Sequence, residues 1–183
     1  MKNVLKFVIL VIMLSSSVFA QKYITKNGKI DFYSDAPMEK VEGKNNQVKA
    51  ALDATTGDIV FQVLITSFEF KQALMQEHFN ENYMESTKFP NSTFKGKVIN
   101  LKDINFSKNG KYAAVIEGDL NIHGTSKKVK QSGTLEVKDG KIIAYAKFNL
   151  TIKDYNISIP SAVAGKIAEQ VQVTVETSMD LKK

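Results

Sequence analysis

Residues 131–153 read QSGTLEVKDGKIIAYAKFNLTIK, and this stretch decides the fold. From Lys141 onward apolar and polar residues alternate. Ile142, Ala144, Ala146, Phe148, Leu150 and Ile152 fall on one face, and Lys141, Lys147, Asn149, Thr151 and Lys153 on the other, with Ile143 and Tyr145 as exceptions. A period of two places successive side chains on opposite sides of an extended chain, so this is a strand with one face to bury. Lys128–Lys138 reads as a weaker strand before it. Asp139-Gly140, between the two, is a residue pair that tolerates the positive φ angles of a two-residue hairpin turn.

The same pattern recurs in both directions. In Lys111–His123, Tyr112, Ala114, Ile116, Gly118, Leu120 and Ile122 share a face opposite Glu117, Asp119, Asn121 and His123. Near the C-terminus Val171, Val173, Val175, Met179 and Leu181 oppose Gln170, Gln172, Thr174, Glu176 and Asp180. Weaker strands are expected at Lys29–Ser34, Gln47–Asp53, Asp58–Thr66 and Ser92–Leu101. Thr56-Gly57 and Asn109-Gly110 provide further turns, and Asn27-Gly28 is expected to start the first strand. Two segments break the pattern. Lys71–Ser86 is helix-like, and Ser161–Glu169 suits a short helix before the last strand.

The result is an all-β chain of about eight one-sided antiparallel strands with one or two short helices. Such strands bury their apolar faces in a sandwich or a closed barrel. A barrel of about eight strands either fills its interior or holds one small ligand. Strands of 10–13 residues, at about 3.4 Å per residue and a tilt near 40°, would line a lumen roughly 25–30 Å deep.

The first 20 residues differ from the rest. Lys2 and Lys6 precede the apolar run Phe7–Leu14, and Ser15-Ser16-Ser17-Val18-Phe19-Ala20 follows. A basic start, a short apolar run and small residues at −3 and −1 are the marks of a secretory signal, with the cut expected after Ala20. The apolar run is too short for a spanning helix of about 20 residues. One domain is then expected over residues 21–183, in a periplasmic or secreted setting. The chain has no cysteine, so this domain must hold together without disulfides. Loss of Lys2 and Lys6 lowers the formal net charge from +6 to +4. Scattered lysines and the absence of tryptophan leave no nucleic-acid footprint, while the mild positive charge is compatible with transient contact with anionic headgroups.

Two stretches carry a resemblance to a known family. One is SFEFKQALMQEHFNENYMESTKFPNSTFKG, Ser67–Gly96, with His78-Phe79 in the helical part, then Lys88-Phe89-Pro90 and Phe94. The other is GDLNIHGTSKKV, Gly118–Val129, a strand–turn–strand element. Their order and spacing resemble the YceI-like family of lipid- or polyisoprenoid-binding proteins, and the likeness runs from about Tyr23 to Leu181. The resemblance implies a lipocalin-like β-barrel. Its apolar lumen would hold a long isoprenoid chain, such as a polyprenyl lipid or a quinone tail, and exported members of the family are periplasmic.

Candidate ligand contacts follow from the residues. Phe68, Phe70, Phe79, Tyr83, Phe89 and Phe94 crowd around the helical excursion, where they can touch a lipid or plug one end of the barrel. Tyr112, Ile116, Phe148, Leu150, Val173 and Val175 are inward-facing candidates. Ala114, Gly118, Ala144 and Ala146 among them are expected to leave volume unfilled. His78 and His123 are the two histidines; His123, before Gly124 at a turn, is expected to hydrogen-bond the local backbone, and either could instead bond a quinone carbonyl or a diphosphate. Glu77, Glu81 and Glu85 are spaced along one helix face and read as a solvated acidic stripe rather than a metal site. Lys127, Lys128 and Lys130 read as a solvated strand edge that discourages pairing with another chain.

No catalytic signature accompanies these. There is no G-x-S-x-G elbow, no HExxH, no phosphate-cradling loop and no dinucleotide fingerprint. No cofactor is expected. The functional expectation is an exported carrier of an apolar lipid. The rivals are an eight-stranded outer-membrane barrel and, further off, a lipocalin-like enzyme acting on a bound lipid.

Overall fold

The structure, a computed structural model, describes residues 21–163 and 165–182; the signal segment expected over residues 1–20 lies outside them. Eight strands run in chain order: β1 (Lys22–Asp35), β2 (Lys40–Asp53), β3 (Asp58–Leu64), β4 (Asn91–Val98), β5 (Gly110–Ile122), β6 (Thr125–Lys138), β7 (Lys141–Thr151) and β8 (Gln170–Leu181). Each pairs antiparallel with the next, and β8 returns to β1, so the sheet closes into an up-and-down barrel. Closure removes the free edges that an open sheet of one-sided strands would present.

The turns are those the sequence demands. Asp139 (φ 51°) and Gly140 (φ 77°) link β6 to β7, and His123 (φ 50°) and Gly124 (φ 72°) link β5 to β6. Two consecutive positive φ angles match the right-handed twist of the flanking strands. The strand start expected at Asn27-Gly28 is corrected: β1 begins at Lys22, and its register against β2 shifts on either side of Gly28. Gly28 is therefore a bulge inside a longer strand, the other common meaning of an isolated strand glycine.

The helical excursion is shorter than its sequence suggests. Helix α1 covers only Ala73–His78 and runs into a π-helical turn, Phe79–Tyr83, closed by the Met84 N–H donating to the Phe79 carbonyl at 2.9 Å. Of Ser161–Glu169, only Ser161–Val163 makes a single 3₁₀ turn.

Side chains inside the barrel form two unequal regions. At the end bearing the β2–β3, β4–β5 and β6–β7 connections, Leu52, Ile59, Leu135, Ile142 and Met179 are fully buried against one another, in a cluster that also takes in Tyr23, Val98, Ile104 and Ala114. At the opposite end lie α1, the π turn and the segment from Ile152 to Glu169. There Ile65, Met84, Leu150, Ile152, Tyr155, Ile157 and Val171 form a second cluster, and Val48, Val63 and Phe68 a third.

Several ladders are interrupted, the β1–β8 one between Ile24 and Lys29 at the bulge, and two others bear on the cavity. β2 and β3 pair only over Lys49–Leu52 and Ile59–Gln62. Beyond that, the buried Asn45 donates from its amide to the Leu64 carbonyl at 2.9 Å, and Lys44 bridges Glu69, so the following segment seals the gap. β6 and β7 pair only from Gly133–Ala146 to Lys138–Lys141. Toward the helical end these two strands run on, each still paired to its outer neighbour, β5 or β8.

Candidate ligand-binding cavity

Between the packed end and the helical end the barrel is hollow. The cavity measures about 260 Å³. A single water needs about 10–15 Å³ by the same kind of measure, so this is no ordinary packing defect. It approaches the smaller ligand pockets, which begin near 300 Å³.

Its walls come from alternate residues of β1 and β3–β8, with Val41 added by β2. Ile30 and Phe32 of β1, Phe61 and Val63 of β3, Phe94 of β4, Ile116 and Leu120 of β5, Phe148 and Leu150 of β7, and Val171, Val173 and Val175 of β8 all face it. The lid contributes Phe68, Phe70, Met75, Phe79, Tyr83 and Met84. Polar side chains are few (Ser34, Ser92, Thr93, Gln131 and Thr134, besides the phenols of Tyr83 and Tyr145), and among the described residues no charged side chain lines the cavity. An ion placed there would lose its water without gaining a partner. The chemistry of the cavity is therefore that of an uncharged, largely hydrocarbon ligand.

Four phenylalanines form the underside of the lid. Phe32 stacks on Phe79 with centroids 5.4 Å apart, and Phe68 meets both edge-on at 5.5 and 5.3 Å. Phe70 closes the set against Phe79 at 4.9 Å and Phe32 at 5.9 Å. Such pairs contribute about 0.5–1.5 kcal/mol each beyond burial. The rings plug the barrel end and border the cavity with their inner faces. The π turn serves this arrangement. Its widened ring of backbone lets Phe79, Tyr83 and Met84 all face inward, where π turns are often found at functional sites. Burial pushes the Tyr83 phenol above its ordinary pKa, the Glu39 carboxylate adding to the effect, so the hydroxyl remains a proton donor.

Of the sequence-derived candidates, Phe68, Phe70, Phe79, Tyr83, Phe94, Ile116, Phe148, Leu150 and Val173 are brought together around this cavity. Two are not. His78 ends α1 with its ring off the lining, because Met75 and Phe79, four residues apart, occupy the inner helical face. Tyr112 points inward but at the packed end, where its ring lies against the core and its hydroxyl donates to the Lys108 carbonyl at 3.0 Å. His123 also stays outside. Its Nε2 lies 2.8 Å from Glu85 Oε2, its Nδ1 lies 3.3 Å from the Tyr155 carbonyl, and Phe89 packs on its ring with centroids 4.5 Å apart. It ties the β5–β6 turn to the lid and to the β7–β8 connection. Glu85 is thereby engaged, and no group of three potential metal ligands occurs among the described residues.

The small inward residues divide as well. Ala146 lines the cavity, Ala114 is buried in the packed cluster, and Ala144 belongs to that cluster while also bordering the cavity. Gly118 leaves no hole: a Cβ on it would lie 2.4 Å from the Cα of Gly96 and from the Lys95 carbonyl oxygen. It serves close approach of β4 and β5 and creates no cavity. The residues that sequence reasoning missed are chiefly Phe32 and Phe61. Their signal was present in the alternations Ile30-Phe32-Ser34 and Ile59-Phe61-Val63, on strands that read as weak.

A family model for the YceI-like domain matches residues 22–179. The chain belongs to the YceI-like family. Solved structures agree on the fold. A polyisoprenoid-binding domain from Saccharophagus degradans, implicated in plant cell wall breakdown, superposes with a TM-score of 0.77 at 10% identity, covering 90% of this chain and 100% of that one. BcnA from Burkholderia cenocepacia gives 0.67 at 16% identity over 82% of this chain and 95% of that one. The Campylobacter jejuni YceI protein gives 0.58 at 18% identity over 77% and 85%. No curated protein matches the chain. Membership in this family supports lipid binding in general.

Proposed function

We propose that this protein is an exported carrier that sequesters an apolar lipid, of polyisoprenoid or quinone type, in the hollow half of its barrel. The observation that carries the reading is the cavity itself, walled by aliphatic and aromatic side chains, free of charge among the described residues and capped by four phenylalanines. The mechanism is sequestration: the lumen desolvates the hydrocarbon tail. Burying about 500 Å² of apolar ligand surface would yield roughly 12 kcal/mol gross. Ordering and association costs remove much of that, leaving room for micromolar binding or better without a charged anchor. The prenyl character of the ligand is supported by the likeness to the polyisoprenoid-binding domain of Saccharophagus degradans. Export is supported by the leader-like residues 1–20, and transient contact with a membrane surface by the mild positive charge.

The outer-membrane reading fares worse on one observation. Outward positions carry Lys49, Lys95, Lys97, Glu117, Asp119, Lys128, Lys130 and Lys147, while the interior is apolar. A membrane-spanning barrel needs the reverse. The enzymatic alternative requires a reactive group at the ligand, and both histidines lie off the cavity lining.

The test is native mass spectrometry of protein prepared without detergent, followed by organic extraction. A discrete adduct that extracts as a polyprenyl lipid or quinone is the expected result. Protein that is bare and takes up neither class would remove the carrier reading. N-terminal sequencing of the protein recovered from its own cell envelope should begin at Gln21; material starting at Met1 would remove the export part alone.

A further inference from the structure

The β6–β7 seam has a stretch, open toward the helical end, with no backbone ladder and no segment laid across it. β6–β7 pairing stops at Gly133–Ala146, yet β6 continues to Thr125 and β7 to Thr151. At the far end the parted strands are bridged again. Lys127 Nζ meets Asp154 at 2.8 Å, Asn156 donates to the Thr125 hydroxyl at 2.9 Å, and His123 faces the Tyr155 carbonyl. What lies between is a window flanked by Lys128–Ser132 on β6 and Lys147–Leu150 on β7. Five residues of strand make it roughly 17 Å long. The β2–β3 gap is sealed by Asn45 and Glu69; the β6–β7 gap has side chains alone. Those that face inward here, Val129, Gln131, Ala146, Phe148 and Leu150, are cavity lining. Gln131 is the polar member of an inward row that otherwise reads Val129, Gly133, Leu135, Val137. Outside, Lys128, Lys130 and Lys147 are exposed.

We propose that this window is the gate through which an apolar chain passes between solvent and lumen, and that the helical end stays shut during exchange. The inference rests on the carrier reading. Three observations favour the side over the end. The end is closed by the phenylalanine cluster, by Ser34 Oγ accepting from the Ala168 N–H at 2.9 Å, and by the His123–Glu85 contact. Opening it would break all of these together. Opening the window breaks no backbone hydrogen bond, because none spans it, and needs only the rotation of side chains such as Phe148. The parted strands also expose unpaired backbone groups that a peptide strand could use. The exposed lysines on β6 disfavour such pairing, which leaves a flexible hydrocarbon chain as the occupant.

The absence of cysteine makes a direct test possible. Ser132 and Lys147 are exposed and come next in the register after Gly133–Ala146. The pair S132C/K147C, oxidised, staples the window from outside without altering a lining residue. As a control, K44C/E69C joins two exposed bridge partners whose backbones already exchange hydrogen bonds at 3.0 and 2.8 Å, locking the helical end. The probe is farnesol bearing an anthraniloyl fluorophore, and uptake is followed by stopped flow. The oxidised window staple should load at least tenfold more slowly than its reduced form, while the end-locked protein loads at the wild-type rate. Wild-type loading by the window staple, or slow loading by the end lock, overturns the gate. Amide exchange supplies a measurement independent of any ligand. Alternate amides of Lys128–Ser132 and Lys147–Leu150 should exchange at least a hundredfold faster than those of Gly133–Lys138; uniform protection would mean the strands are zipped and there is no window. If the wild-type protein takes up no probe while the fast amides are found, the carrier reading fails and takes the gate with it, and the open wall stands as a structural fact.

Discussion

The two halves of the barrel are built from the same eight strands and the same alternation, yet one is solid and the other hollow. In the solid half Leu52, Ile59, Ile142 and Met179 meet across the axis and leave no exposed surface. In the hollow half the inward residues include the largest apolar side chains in the chain, Phe32, Phe61, Phe94 and Phe148, and they still leave about 260 Å³ empty. Side-chain volume is therefore not what separates the halves. Aliphatic side chains pointing along the radius fill a barrel. Rings that lie along the wall, as Phe94 does over Gly96 with its nearest ring atom 2.5 Å from where a Cβ would stand, line one.

The sharpest way to expose the difference is truncation on each side. Leu52→Ala removes a fully buried side chain that touches no part of the cavity. It should cost about 2–5 kcal/mol in urea unfolding, since neighbours in a packed core relax only partly. Phe148→Ala should cost distinctly less, because its half-buried ring already borders empty space, and should weaken binding of a prenyl probe instead. Equal losses of stability from both would mean that the cavity collapses in solution and that the halves are alike.

Enlargement reverses the ranking. Ala114 and Ala146 are both alanines on inward strand positions, one in the solid half and one on the cavity wall. Ala114→Leu should cost about 1–3 kcal/mol by overpacking, with ligand affinity unchanged. Ala146→Leu should leave stability intact or raise it and reduce prenyl-probe affinity at least tenfold by occupying the lumen. Gly118→Ala belongs with the first of these although its neighbours line the cavity, because its added carbon meets backbone; a cost of about 1–3 kcal/mol is expected. If Gly118→Ala proved neutral, β4 and β5 would have to separate freely there, and the close approach would play no part in shaping the wall.

How much of this is legible in the sequence follows from what period-two alternation encodes. It fixes which face of a strand is inside, so Phe148, Leu150, Ile116 and Val173 are recognisable as inward from the sequence alone. It does not encode height along the barrel. Tyr112 and Ile116 are indistinguishable by parity, yet one packs in the solid half and the other borders the cavity. Height depends on register and tilt, which are set by bulges such as that at Gly28 and by where turns fall. The lid is legible only as an interruption. Its π turn sets Phe79 against Phe32 and Phe68, tertiary contacts that the local sequence does not announce. The parted β6–β7 edges leave a trace, the lysines of β6, but a lysine-rich edge says that a strand is unpaired without saying where.

The smallest effect concerns a flaw in the solid half. Thr177 of β8 is fully buried, and its hydroxyl has no hydrogen-bond partner. The hypothetical Cβ of Gly28 would lie 2.8 Å from both its hydroxyl and its methyl, so the β1 bulge presses directly on this side chain. An unsatisfied buried hydroxyl costs about 1–3 kcal/mol relative to an apolar group of the same shape. Thr177→Val, which keeps the shape and removes the polarity, should therefore raise stability by about 1 kcal/mol, read as a higher urea midpoint at unchanged slope. Binding should not move, because the change keeps the side chain's shape and Thr177 is not itself a lining residue, although its register partner Ala144 and its strand neighbour Val175 are. A loss of stability would show that the hydroxyl is satisfied, by an internal water held beside the bulge. The solid half would then contain a hydrated defect of its own.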